Sequence, residues 1–259
     1  MDKKKLAALE QKILLMREEK FEGLPEKHLC FTNEYIGYHS RRFATLALIL
    51  EELGINSSSK ILDVGPTFTA LFFHRQFGCT VDALSFSPDE ETPFGFNYQF
   101  DLNDSQFEDQ WRKDMPQYPV VVFAEVIEHL YTAPEVVLKF LASLTEPGGV
   151  IICQTPNPLA LRKRIQLLAG RHPFEEISLE RGSPNHYRES TLKELVRYGQ
   201  NAGLEIAHAG HYNYFNPTYR QNEANISPTM GKLFFKLSDR LPGSMKPNCM
   251  VIYRKKSTR

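Results

Sequence analysis

Three things are missing from this chain of 259 residues: paired cysteines, net charge, and any apolar run of membrane-spanning length. The four cysteines, Cys30, Cys79, Cys153 and Cys249, are scattered, so neither a zinc site nor a disulfide framework is signalled and reduced, apolar-packing thiols are expected. Thirty-one basic residues cancel thirty-one acidic ones. No overall field therefore attracts DNA, RNA or an anionic membrane, and only a local patch would do so. No run approaches the roughly 18 apolar residues of a membrane span. The opening MDKKKLAALEQKILLMREEK starts positively, but Glu10, Gln11 and Lys12 interrupt the apolar region a signal peptide needs, so the expected location is cytoplasmic. What is present, 42% hydrophobic and 12% aromatic residues, suffices for a large core in one domain or one domain with an appendage.

Leu6, Leu9, Ile13 and Met16 recur at three- and four-residue spacings, the stripe of an amphipathic helix that packs on the domain, with a short coiled-coil contact as the alternative. FTNEYIGYHSRRFATLALILEELGI reads as a second helix ending near Gly54. Strand-length apolar runs then alternate with helical segments: KILDVG, TVDALSF, YQFD, VVVFAE and VIICQT, followed by LEIAHAG and NCMVIYRK. This pattern predicts an α/β fold, a doubly wound, seven-stranded and mostly parallel sheet whose final strand enters as an antiparallel edge. The expected division is N-terminal helices over 1–55 and an α/β domain over 56–259, with a helical lid inserted at about 157–190.

A further shortage is local. ILDVG ends a buried strand at a tight turn, where ligand cradles usually carry more glycines, yet Pro66, Thr67, Phe68 and Thr69 follow. Ligands of open α/β sheets sit beyond the carboxyl ends of the strands. The residues in question are thus Asp63 and Gly65, Ser85, Asp101 and Leu102, Glu125, and Thr155 to Asn157.

The segments ILDVG, CTVDALSFSPDE, FDLND, VVVFAEVIEHL, LASLTEPGGVIICQTPNP and NHYRESTLKELVRYGQNAGLEI, in that order, resemble class I S-adenosylmethionine-dependent methyltransferases over roughly residues 35–210. EVIEHL with EPGG is most similar to the branch holding ubiquinone-pathway O-methyltransferases and many small-molecule and polysaccharide-cluster methyltransferases. The resemblance implies a Rossmann-like methyltransferase fold and S-adenosylmethionine as cofactor. Asp63 would help hold the amino-acid end and Gly65 would let the main chain approach, with Glu125 closing the fourth strand beside them. Asp101, with the Leu102 backbone, would meet the adenine amino group, although aspartate also suits a plain turn there. Ser85 stands where the family has an acid for the ribose, and a hydroxyl offers one weaker contact. Pro66 lacks an amide donor, while Thr67 and Thr69 add hydroxyls for the cofactor.

AEVIEHLYTAPE is the most chemical stretch. A helix starting at the strand end would align Glu125, Glu128 and His129 at i, i+3 and i+4. His129 then reads as the general base for a hydroxyl acceptor, or as a packing residue under the helix while proximity does the catalysis. A third reading joins His186 to those residues as ligands for Mg²⁺ or a similar cation, an arrangement similar to metal-dependent small-RNA 3′-end methyltransferases. His186 and Tyr187 lead into a capping box at Thr191 and Glu194, and the functional alternative closes them over the acceptor. Between the fifth and sixth strands, Leu159, Leu161, Ile165 and Leu168 with Arg162, Lys163, Arg164 and Arg171 form a basic amphipathic helix. It reads as a substrate lid, or as one facing lipid or a polyanion.

The function expected is methyl transfer to a hydroxyl of a small molecule, such as a sugar or a lipid-linked intermediate. The alternatives are a binding or scaffold protein on a degenerate methyltransferase fold and a metal-dependent RNA methyltransferase. The last is disfavoured by the neutral overall charge, because RNA binding leans on a basic surface.

Overall fold

The computed structural model describes residues 2–16, 32–66, 68–176, 185–216 and 236–257. Two helices come first, α1 (Lys3–Met16) and α2 (Asn33–Glu52), followed by β1 (Lys60–Val64), α3 (Phe68–Phe77) and β2 (Thr80–Ser85). Then come β3 (Glu90–Thr92), β4 (Gly95–Gln99), β5 (Tyr118–Ala124), α4 (Pro134–Ser143), β6 (Thr145–Pro156) and α5 (Leu161–Leu168). The chain closes with α6 (Leu192–Asn201), β7 (Glu205–Tyr212) and β8 (Asn248–Arg254).

The strands form one sheet of eight in the order β3-β4-β2-β1-β5-β6-β8-β7. The five from β4 to β6 are mutually parallel, and β1, β2, β5 and β6 are largely buried beneath helices, whereas β4 is mostly half-exposed. Two expectations need correcting. The sheet has an eighth strand, β3, a three-residue hairpin arm whose polar EET carries no apolar alternation. The last strand is antiparallel but is not the edge: β8 pairs with β6 on one side and β7 on the other. Composition explains the exchange, because β8 is apolar and buried along most of its length while β7 is half polar and largely exposed.

One sheet face carries a core that joins Leu6, Ile13 and Met16 of α1 and the inner side of α2 to Ile61, Val81, Val122 and Ile152. The N-terminal helices thus share the core of the sheet domain. α2 starts at Thr32, whose hydroxyl accepts from the Tyr35 amide, and it is apolar enough to be buried over most of residues 42–50. The other face is covered by α4 and α6. α6 opens with the reciprocal Thr191–Glu194 capping box expected from its sequence. Cys79, Cys153 and Cys249 are buried free thiols, and Cys30 lies outside the described residues. No described helix is long and apolar enough to cross a membrane.

Candidate functional site

β1 ends at Gly65, which takes a left-handed φ of 64° and donates its amide to the Leu84 carbonyl at 2.9 Å. A Cβ there would sit a tight 3.0 Å from Cγ2 of Val126 and would strain the left-handed backbone, so the position favours glycine and the main chain stays bare. The residues replacing the usual glycines turn inward. Phe68 is fully buried against Phe43 of α2 and Phe72, with ring centroids at 5.3 and 5.8 Å, and contributes about 2–3 kcal/mol of apolar burial. Thr69 donates its hydroxyl to Asp63 Oδ2 and is itself buried, which corrects the expectation that it reaches a cofactor. Pro66 is partly exposed beyond Gly65, and Thr67 lies outside the described residues. Burial pushes the Asp63 carboxyl up to about 7, against the Thr69 hydrogen bond and the nearby Arg42 charge, which pull it down.

Ser85 and Asp101 stand at the ends expected, with their polar atoms already engaged. The Ser85 hydroxyl donates to Asn97 Oδ1 at 2.7 Å and accepts the Ser87 amide at 3.1 Å. Asp101 Oδ1 caps a 3-10 turn (Leu102–Gln106) by accepting from the Asn103 amide and side chain at 2.9 and 3.0 Å, and Leu102 is buried beneath it. Asp82 points the other way. It accepts from Tyr118 at 2.6 Å and pairs with Lys60 at 2.7 Å at the foot of the sheet, so it serves packing.

After β5 the expected helix is not formed. Glu125 adopts φ 58°, unusual for a non-glycine residue and costing on the order of 1 kcal/mol, and only a 3-10 turn (Ile127–His129) follows before α4 begins at Pro134. Glu125, Glu128 and His129 are brought near one another by this kink rather than by helical spacing. The 3-10 turn is stitched to the segment before α6. The Glu128 carbonyl accepts the Tyr187 and Arg188 amides at 2.8 and 3.2 Å, and His129 Nδ1 donates to the Asn185 carbonyl at 3.1 Å. Because of this stitching the His129 and His186 rings lie 4.8 Å apart, and ligand atoms of Glu128, His129 and His186 all fall within 4.8 Å of one another.

Charge in this interior is poorly matched. Burial raises the Glu125 and Glu128 carboxyls above the ordinary range, and the two repel each other if both ionise. Glu128 Oε2 accepts from Thr155 at 3.0 Å, but Glu128 Oε1 and Glu125 Oε1 have no hydrogen-bond partner among the described residues. Burial lowers His129, while the Asn185 carbonyl raises it in part. The cation facing these acids comes from α2. Arg42 is 2% exposed, and burial opposes its charge, but Tyr35, Glu125 and Glu128 more than offset that and raise its pKa. One nitrogen donates to the Tyr35 hydroxyl at 3.0 Å, whereas Nε and Nη1 have no partner among the described residues. Such orphaned buried donors are rare.

Sequence reasoning missed Arg42, although its place among Phe43, Leu46 and Ile49 on an apolar helix face was the available signal. It also missed Glu189, which is nearly buried and holds His186 Nδ1 at 3.1 Å while its other oxygen pairs with Lys163 of α5. Burial works to raise the Glu189 carboxyl, but the His186 hydrogen bond and the Lys163 charge outweigh it and hold it below its ordinary range. A carboxylate only accepts, so His186 Nδ1 carries the proton and its Nε2 is the basic nitrogen of the neutral ring.

These parts border a chamber of about 540 Å³ at the carboxyl edge of β5 and β6. Glu125, His186 and Glu189 line it together with Phe174, Phe215 and Leu161, and His129 is not among its lining residues. Asn213 and Phe215, from the segment YNYFNPTYRQNE, also line it, and residues 217–223 of that segment lie outside the described residues. The Gly65 cradle and the chamber adjoin, since β1 and β5 are neighbours in register and Val126 beside Glu125 packs over Gly65.

Residues 38–209 match a methyltransferase domain family. A ubiquinone biosynthesis O-methyltransferase of Aeromonas salmonicida is 30% identical over 90 residues, and the match spans 35% of this chain and 37% of that protein. Among solved structures, the methyltransferase in complex with the Haloferax volcanii Trm112 methyltransferase activator superposes with TM-score 0.53 at 12% identity, covering 84% of this chain and 92% of that one. The [4+2]-cyclase SpnF superposes with TM-score 0.52 at 11% identity over 98% and 97%. A geranyl diphosphate methyltransferase bound to S-adenosylmethionine gives 0.50 at 12% identity over 93% and 94%. At these identities the superpositions speak for the fold alone, and the matched family domain gives the assignment: the chain belongs to the class I S-adenosylmethionine-dependent methyltransferases.

Proposed function

We propose that the protein transfers the methyl group of S-adenosylmethionine to a hydroxyl of a small molecule held in the chamber. The observation that carries this reading is the chamber itself, which adjoins the bare backbone at Gly65 and presents His186 with Glu189 behind it. The cofactor, when bound, supplies an electrophilic methyl on a sulfonium. The Gly65 main chain and the orphaned Arg42 nitrogens suit its amino-acid end, Arg42 as the cation for the carboxylate, with Asp63 buried beside them. Asp101 and Leu102 are assigned to the adenine. Ser85, its proton committed to Asn97, adds little to the ribose.

On the acceptor side Glu189 fixes the His186 tautomer, and Nε2 takes the hydroxyl proton as the oxygen attacks. The His129 ring packs edge-on against it at 4.8 Å. A sugar, a phenol or a lipid-linked alcohol would each fit the mix of aromatic and acidic lining. In a second reading Glu128, His129 and His186 hold a divalent cation, favoured by their mutual approach and the unpartnered Glu128 Oε1.

Calorimetric titration with S-adenosylmethionine and with S-adenosylhomocysteine tests the cofactor; no heat and no thermal shift with either would leave only the scaffold reading. With an accepted hydroxyl compound in hand, His186→Ala should lower kcat on the order of a hundredfold and His129→Ala much less. Activity abolished by a chelator and restored by Mg²⁺ would instead favour the cation.

A further inference from the structure

We propose that the outer face of α5 docks on an anionic lipid surface, which sets the mouth of the chamber against the bilayer. The helix is two-sided. Leu161, Arg162, Lys163 and Gln166 line the chamber, and Lys163 is bound to Glu189. At 100° per residue the opposite arc carries Leu167 and Leu168, which are 53% and 89% exposed. No residue of α5 is buried. An eight-residue helix is too short to be stable by itself and normally gains its stability from an apolar face packed on something, yet among the described residues nothing buries that face.

Charge identifies what covers it. Residues 158–174 contain four basic side chains and no acidic one, in a chain whose totals cancel. Arg164 is committed to the Leu159 carbonyl at 2.7 Å and Lys163 to Glu189. Arg162 and Arg171 are exposed, and neither guanidinium makes a hydrogen bond or ion pair among the described residues. Exposed leucines beside the unpaired Arg171, with Arg162 at the rim of the chamber, match an anionic interface, where the former enter the acyl boundary and the latter meet phosphates. A second copy of the chain would bring a like-charged face to this one, and a nucleic acid would leave the leucines in water. The docking stands apart from the methyl-transfer reading; that the acceptor is itself an amphiphile drawn from the bilayer rests on it.

Vesicle flotation with the full chain tests this, comparing phosphatidylglycerol-containing vesicles with pure phosphatidylcholine at low and high salt. Binding should require the anionic lipid and fall with salt. Arg171→Ala should weaken it about fivefold, and Leu167→Ser with Leu168→Ser more than tenfold. None of the three lines the chamber, so melting temperature and heat of cofactor titration should match the parent. No flotation at low salt, equal flotation of the variants, or a self-association that Leu168→Ser abolishes without any lipid binding would each overturn the proposal. Cofactor heat without flotation removes the docking alone, and flotation without cofactor heat removes the methyltransferase reading alone.

Discussion

The two halves of the site differ in how far their polar groups are satisfied. Around Asp63, Ser85 and Asp101 each side chain already has an internal partner: Thr69, Asn97 and Asn103 respectively. Around Arg42, Glu125 and Glu128 the chain leaves donors and acceptors buried and unmatched. The first half is a rigid frame that offers mainly its backbone. The second stores unfavourable desolvation that a ligand can relieve, so it should dominate both affinity and stability.

The sharpest way to break this contrast is Arg42→Ala. Removing the guanidinium that faces Asp63, Glu125 and Glu128 should destabilise the fold by about 3 kcal/mol, because buried acids lose a counter-charge but can still take up protons. Cofactor affinity should fall by about a hundredfold or more if a guanidinium pairs with the carboxylate of the cofactor. Urea unfolding and calorimetric titration read the two effects, and Arg42→Lys should recover stability better than affinity, since it keeps the charge and loses the fork. An intermediate effect concerns pH. Asp63, at about 7, and the two raised glutamates bind more protons folded than unfolded, so stability should fall as pH rises from about 4 through 7. Urea midpoints across that range should decline for the parent and decline less steeply for Glu128→Gln, which removes one of these protons. The smallest effect should come from the satisfied half. Ser85→Ala should cost about 1 kcal/mol or less and change cofactor affinity less than about threefold, measured by the same titration; a tenfold loss would mean that Ser85 meets the ribose after all.

The parallel centre of the sheet was legible because its strands are continuous apolar runs ending in Asp63, Ser85 and Glu125, and the capping box of α6 because its residues interact locally. β3 was not legible, since three polar residues become a strand only by pairing with β4. The kink at Glu125 was hidden for a similar reason: it is held by the hydrogen bond its amide donates to the Gln154 carbonyl on β6 and by the stitching of Glu128 to Tyr187, partners distant in sequence. Glu189 was missed because nothing in HYRES announces that Lys163 will arrive from α5. Chemistry that depends on one segment was readable; chemistry assembled from two was not.

The insertion of β8 between β6 and β7 bears on how the molecule is made. Arg254 pairs with Val150 on one side and with Glu205 on the other, so closing this half of the sheet spans loops on the order of a hundred residues. Among the described strands β7 pairs only with β8. During synthesis, then, β6 and β7 emerge well before the strand that joins them, and their ladders stand open until residues 248–254 arrive. The pairing of β6 with β7 through β8 is then complete, and the Asn157 amide, on the way into α5, is fastened to the Pro247 carbonyl at 2.7 Å in the same late event.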